Sequence, residues 1–352
     1  SRLEEESWTS FTIATGLPHN VVWTLRQDGE GIIWAGTAAG AGYFDGGEFV
    51  AIDPEKSLGR SPVRSILPDR YGALWFVIPG RGVIRYHNGD LTPFSVSDGL
   101  AGERITSALI DNKDDLWFGA ERGVSRFDGR HMHEMLTGSR EGSRSITTML
   151  NDRSGRYWFG TRDGGIIQYA DGMRQRLFRQ DGLADDTIDK MIQDSLDNIW
   201  IATPGGITKF RPVHSRPPIV ITGVTTDNSH DLSQTISFPS SESSIRFDFV
   251  GISYKTRPEQ MLYRYQLIGH DPEERTTNAR QVSYVGLPRG DYTFRVSAVD
   301  LDLGTSDSPA EIGVAVHLPY GTLALSCIIG LIVLAGGLAA RSAVQRRRER
   351  DD

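Results

Sequence analysis

The sequence predicts an all-β chain: a β-propeller of repeated four-stranded blades, then an immunoglobulin-like β-sandwich, then one C-terminal transmembrane helix. Three observations predict it. Tryptophans recur at Trp34, Trp75, Trp117, Trp158 and Trp200, at spacings of 41, 42, 41 and 42 residues. Past Pro212 the period stops and short alternating apolar runs take over. From Gly321 to Ala340 the chain carries no charge. These changes of pattern divide it into 1–213 (propeller), 214–318 (sandwich), 319–341 (transmembrane helix) and 342–352 (cytoplasmic stub).

Within the repeat, other positions hold phase with the tryptophan. Six residues before it stands an aspartate: Asp28, Asp69, Asp111, Asp152 and Asp194. Twelve before stands a β-branched residue: Val22, Val63, Ile105, Ile146 and Ile188. Ten or eleven after stands an aromatic: Phe44, Tyr86, Phe127, Tyr169 and Phe210. A leucine lies seventeen before in four copies (Leu17, Leu58, Leu100, Leu183), and Glu141 breaks the pattern in the fourth. Turn residues cut each unit into short strands. The aspartate suits the first turn position, where its carboxylate accepts backbone N–H groups, and Gly31, Gly72 and Gly155 supply conformations that a Cβ resists. Four strands in a period of about 40 to 45 residues are the signature of a propeller blade. The tryptophan and the later aromatic are expected to pack between neighbouring blades.

These residues resemble the regulator-propeller repeats of bacterial two-component sensors. Ile33-Trp34-Ala35-Gly36-Thr37, Tyr157-Trp158-Phe159-Gly160-Thr161 and Ile199-Trp200-Ile201-Ala202-Thr203 carry the likeness, whereas Leu74-Trp75-Phe76-Val77-Ile78 departs at the glycine and threonine. The resemblance implies seven blades, of which five are legible. Ser7 to Ala14 reads as an outer fourth strand, and the last copy, ending at Phe210-Arg211-Pro212, lacks its own. Two readings follow: the two halves complete one blade of a five-membered ring, or upstream blades are missing. The family resemblance favours the second. A chain that starts at Ser1 with no methionine or leader is likewise read as processed or cut.

Beyond the Arg216-Pro217-Pro218 linker, strand-like runs fall at Ile219 to Ile221, Ser244 to Val250, Met261 to Leu267, Gln281 to Val285, Tyr292 to Val299 and Ile312 to His317. Such spacing without a helical pattern predicts a sandwich. Tyr263-Arg264-Tyr265, Gly269-His270-Asp271, Tyr284 and Tyr292-Thr293-Phe294 resemble the tyrosine-rich domain that follows the propeller in the same sensors. A tryptophan usual in that family is replaced here by Glu273-Glu274-Arg275.

At about 1.5 Å per helical residue, the charge-free run from Gly321 matches the hydrocarbon core of a bilayer, roughly 30 Å thick. Tyr320 stands at one border, and Arg341, Arg346, Arg347, Arg348 and Arg350 crowd the other, so the C-terminus is expected to be cytoplasmic. The last twelve residues carry five arginines and three acids, a charge of +2 within a chain of −7. Everything before them is acidic, which argues against nucleic acid as partner. Cys327, the one cysteine, excludes an intrachain disulfide and reads as a lipid- or helix-facing small residue.

No catalytic constellation, cofactor motif or metal motif is legible, and the eight histidines are scattered. His131 and His133 alternate as strand neighbours do, but two ligands are too few for a metal. The repeat aspartates invite comparison with paired glycosidase carboxylates, yet fivefold equivalence argues for a turn role, because acid and base need unlike environments. Ligand candidates are arginines of the loops at one propeller end: Arg81, Arg122 and Arg162 after the second strand of their blades, and Arg104 and Arg144 (with Arg60 and Arg64) before the first. Arginine binds carboxylate or sulfate bidentately, so an anionic oligosaccharide is one reading and solvated rim charges paired with Glu103, Glu121 and Asp163 the other.

The function expected from all this is the extracytoplasmic sensor region of a single-pass receptor in a bacterial inner membrane. The resemblance implies a cytoplasmic regulator as output and pairing of two subunits through the sandwich. A membrane-tethered polysaccharide-active enzyme and an adhesion or scaffold propeller remain as alternatives.

Overall fold

The computed structural model describes residues 2–4, 7–52, 58, 60–137, 145–212, 216–232, 235–242, 244–319 and 328–341. Glu141, Arg144, His214, Cys327 and the arginines after Arg341 lie outside these residues. The chain separates into two compact units, Ser1–Val213 and His214–Asp352.

The first unit is a series of antiparallel sheets, each laid down in chain order as the repeat demands. Blade 1 runs Val22–Gln27, Ile33–Thr37, Gly40–Phe44 and Phe49–Ala51. Blades 2, 3 and 4 repeat it from Ser65–Pro68 to Asp90–Phe94, from Ile105–Ile110 to Met132–Thr137, and from Ile146–Asn151 to Met173–Leu177. Among the described residues blade 5 holds three strands, Lys190–Gln193, Ile199–Thr203 and Gly206–Phe210, where the others hold four. Ser7 to Ala14 is not one outer strand. Ser7–Thr9 pairs with Arg2–Glu4, and the chain then turns through a 3₁₀ turn, Ile13–Thr15, capped by Thr12. Among the described residues Ser7–Thr9 does not pair with blade 5.

Contacts between blades explain the repeat. Each interior tryptophan is capped by the next blade's aromatic: Trp34 by Tyr86 (5.5 Å between ring centroids), Trp75 by Phe127 (4.6 Å), Trp117 by Tyr169 (6.5 Å) and Trp158 by Phe210 (5.5 Å). The β-branched residue serves the blade before it. Ile146 Cγ2 and Ile188 Cγ2 would each lie 2.7 Å from a Cβ added to Gly119 and Gly160, two residues after their tryptophans. At these two positions the neighbouring inner strand rests on the glycine backbone. Where Val77 replaces it, the valine is buried in a cluster with Ile105. Gly160→Val is therefore expected to lower stability by about 1 to 3 kcal/mol through overpacking. Urea unfolding of the full chain measures it, and an unchanged midpoint would remove the glycine from the blade contact.

The residue after the repeat aspartate ties the turns together. Arg70 reaches Lys113 O (2.6 Å), Asn112 donates to Asp152 O (3.3 Å), and Arg153 donates to Asp194 O and Asp197 (both 2.7 Å). At the two ends of the series this burial stops. Trp117 and Trp158 are essentially inaccessible, while Trp200 of blade 5 is 36% exposed and Ile207 71%. On blade 1, Phe11, Leu17, Val22, Leu25, Ile33 and Phe44 line an open apolar hollow of about 360 Å³. Among the described residues, nothing covers these faces as a neighbouring blade covers the interior ones.

The second unit is a two-sheet sandwich. Ile219–Thr225, Ser244–Gly251 and Gln281–Val285 form one sheet. The other is ordered Ile236–Pro239, Ala310–His317, Gly290–Val299, Leu262–Ile268 and Arg275–Thr277. Alternate residues of both sheets (Ile245, Phe247, Phe249; Tyr263, Leu267; Tyr292, Phe294, Val296) share one core, with Phe247 and Phe294 stacked at 4.0 Å. Ile236–Pro239 and Arg275–Thr277 were not legible as strands. The first pairs parallel with Ala310–His317 across a long sequence separation, and the second is polar.

The tyrosines anchor the sandwich through their hydroxyls. Tyr292 donates to Pro288 O (2.8 Å) and Tyr284 to Asp271, which also accepts from Leu267 N. Arg275 pairs with Asp271 at 2.9 Å. Burial would raise the Asp271 carboxyl, but these donors and His270 hold it below the usual range.

Residues 328–341 are helical and exposed throughout. No helix among the described residues is long and apolar enough to cross a membrane, and Gly321–Cys327 of the expected span lie outside them.

Candidate functional site: the arginine-bearing end of the propeller

The site is built from the two sets of loops named above, which the structure brings to the same end of the blades. Arg81 follows the turn after Leu74–Ile78, and its guanidinium donates to Ser61 Oγ (2.8 Å) in the connection from blade 1. Gly82 N donates to Glu103 O (2.9 Å), which links the same turn to the connection entering blade 3. From there Arg104 reaches Glu121 across 3.6 Å, beside Arg122. Arg81, Arg104 and Arg122 thus lie along one chain of contacts over blades 2 and 3, all exposed. Arg162 occupies the corresponding turn of blade 4; its N–H donates to Ser145 O (3.0 Å), and it too is exposed. Arg144 lies outside the described residues. Arg64 is placed differently, its guanidinium 4.4 Å above the ring of Trp23 on the inner strand of blade 1.

The acidic partners divide as well. Glu121 faces Arg104, whereas Asp163 accepts from the Thr187 hydroxyl (2.5 Å) and not from the neighbouring arginine. Ser61 and Thr187 are residues of this end that sequence reasoning did not single out. They come from different connections, and Ser61 meets Arg81, and Thr187 meets Asp163, only once successive blades have packed.

The five aspartates stand at the opposite turns of the strands, fully occupied. Asp152 Oδ1 accepts the N–H of Ser154 and of Arg156 (2.9 and 3.0 Å), and its Oδ2 accepts the indole N–H of Trp158 (2.9 Å). The same three bonds recur at Asp28, Asp69, Asp111 and Asp194 with Trp34, Trp75, Trp117 and Trp200. The third residue after each aspartate has a positive φ, as Gly31, Gly72, Asp114, Gly155 or Asp197. For Asp194 the Trp200 and Asn198 donors push the carboxyl far down. At Asp111, burial works upward but is outweighed by the Tyr157 hydroxyl of blade 4 and the Trp117 indole, so the carboxyl stays low. Tyr157 is driven well above its ordinary value by burial and by that carboxylate. A carboxylate committed to three donors in this way is a structural staple of its turn, and at Asp111 and Asp194 the low carboxyl is ill suited to a general acid.

Residues 16–39 and 141–163 match the model of the two component regulator propeller, and residues 255–317 match that of the Y_Y_Y domain. The matches follow one another in that order along the chain, propeller repeat before Y_Y_Y domain. No curated protein matches it. Among solved structures, it is similar to the extracellular domain named as that of the hybrid two component system BT3049 from B. thetaiotaomicron. Identity is 18% over 86% of this chain and 50% of that one, with a TM-score of 0.39. The extracellular domain named for the one component system BT4673 of the same organism is 18% identical, over 86% of this chain and 51% of that one, with a TM-score of 0.38. Virginiamycin B lyase from Staphylococcus aureus is 12% identical over 65% of this chain and 79% of its own, with a TM-score of 0.41. The chain spans about half the length of the first two.

Proposed function

We propose that this chain is the extracytoplasmic sensing region of a two-component-type membrane receptor. It holds a ligand at the arginine-bearing end of the propeller and passes the bound state through the Y_Y_Y sandwich to a transmembrane helix and a cytoplasmic regulator. The observation that carries this reading is the order of the parts: regulator-propeller repeats, then the Y_Y_Y domain, then a charge-free run closed by arginines. The positive border of that run sets its orientation. A reporter fused after Asp352 should be active only when it is one that works in the cytoplasm; activity of a periplasmic reporter there would reverse the topology. Two subunits pair through their sandwich domains in this reading.

The ligand class proposed is an anionic oligosaccharide, since exposed guanidinium groups on neighbouring blades suit carboxylate or sulfate groups spaced along a chain. Charge-assisted bonds of this kind contribute about 1.5 to 3 kcal/mol each, so Arg122→Ala should weaken binding roughly tenfold or more. Titration of the full chain with acidic and neutral glycans measures it. Equal binding of an acidic glycan by parent and variant, or binding of neutral sugars alone, would make the arginines a solvated rim.

A further inference from the structure

Blade 3 carries a cluster of a different chemistry at its outer hairpin. Strands Gly123–Phe127 and Met132–Thr137 pair with Phe127 opposite Met132, so Asp128, Gly129, Arg130 and His131 make the turn between them. Asp128 Oδ1 accepts the N–H groups of Arg130 and His131, both at 2.8 Å, which fixes the carboxylate. Its Oδ2 lies 2.8 Å from His133 Nε2. The rings of His131 and His133 stand 6.2 Å apart, and one ligand atom from each of the three residues lies within 4.8 Å of the others. Both histidines are exposed. Arg126, opposite His133 in the ladder, is turned away onto Asp115, its Nε 2.8 Å from that carboxylate.

We infer that Asp128, His131 and His133 form a binding site for a first-row divalent metal ion, with zinc the best match to the donor set. Two imidazoles and one carboxylate suit zinc and its transition-metal neighbours, whereas calcium and magnesium take oxygen ligands. Zinc bonds to nitrogen and oxygen of about 2.1 Å place tetrahedral ligand atoms roughly 3.4 Å apart. The Asp128–His133 pair is already closer than that, and rotation of the exposed His131 ring closes the remainder. The two backbone N–H bonds to Oδ1 hold the carboxylate in place, as outer partners do at metal sites, and leave Oδ2 for the ion. Three protein ligands leave a fourth position for water or for a donor from another molecule. The histidines alone supply two ligands; the turn contributes the third by bringing Asp128 back over the strand.

Calorimetric titration of the full chain with zinc ion alone tests the site. One equivalent should bind in the micromolar range. His131→Gln, His133→Gln and Asp128→Asn should each weaken it roughly tenfold or more, while His87→Gln, outside the cluster, leaves it unchanged. The amide oxygen of Asp128→Asn can still accept the turn N–H groups, so circular dichroism and melting of that variant should match the parent. Zinc should raise the melting temperature of the parent and not of the three cluster variants. No zinc binding by the parent, or equal binding by the parent and both histidine variants, would overturn the proposal.

Discussion

Trp117→Ala is expected to destabilise the propeller by about 3 to 5 kcal/mol, the range for removing a large aromatic from a closed core. The indole is 1% exposed, lies 4.2 Å from the Tyr157 ring and 5.9 Å from Phe159 of the next blade, and donates to Asp111 at 2.8 Å. The substitution empties a space between two blades, and neither can collapse into it without losing its pairing with the blade beyond. Trp200→Ala makes the control. The same residue type at the same repeat position, it is 36% exposed with no blade following it among the described residues, and should cost less than about half as much, since burial supplies most of the effect. Urea unfolding of both variants, followed on the propeller transition, measures the difference. Equal losses, or a loss below about 1 kcal/mol at Trp117, would require redrawing the blades.

The second large effect is expected at Asp152. Removing this fully buried carboxylate deprives Ser154 N, Arg156 N and the Trp158 indole of their acceptor, and takes the ion-pair partner at 2.9 Å from Arg156. Breaking a buried pair from one side costs about 3 to 5 kcal/mol, because the remaining polar groups keep their desolvation without compensation. Asp152→Asn separates turn chemistry from charge. Its amide oxygen can still accept the two turn N–H groups, but its NH₂ then faces the donors Trp158 Nε1 and Arg156 Nε. The asparagine variant should therefore recover little of the loss seen with Asp152→Ala. Full recovery in thermal and urea unfolding would reduce the aspartate to a turn former.

These two experiments also mark how far the residues could be read directly. A turn role for the aspartates follows from a local pattern, since the acceptor and its N–H donors lie within four residues and any chain with that spacing makes the same turn. The bond from the same carboxylate to the indole six residues on was encoded as strictly, in the constant spacing. It was not legible, because the bond exists only once the two strands flanking the turn are paired. The sandwich behaves likewise. Ser244–Gly251 and Gln281–Val285 stand out by alternation, whereas Ile236–Pro239 becomes a strand by pairing with residues some 80 positions later.

By itself, then, the sequence determined the blade period, the turn at each aspartate, the aromatic positions, the six longer sandwich strands and the order of the parts. All rest on contacts within one blade or on strand alternation, which short-range sterics and hydrogen bonding dictate. Tertiary structure alone decided which blade's aromatic closes which tryptophan and why Gly119 and Gly160 must lack a Cβ. It also decided that Ser7–Thr9 turns back on Arg2–Glu4, while blade 5 holds three strands among the described residues. The juxtaposition of Arg81, Arg104 and Arg122, and the approach of Asp128 to His131 and His133, belong to the same group. Each depends on segments brought together by closure of a turn or by packing of a neighbouring blade, and side-chain identity along the chain does not specify that geometry until the sheets have formed.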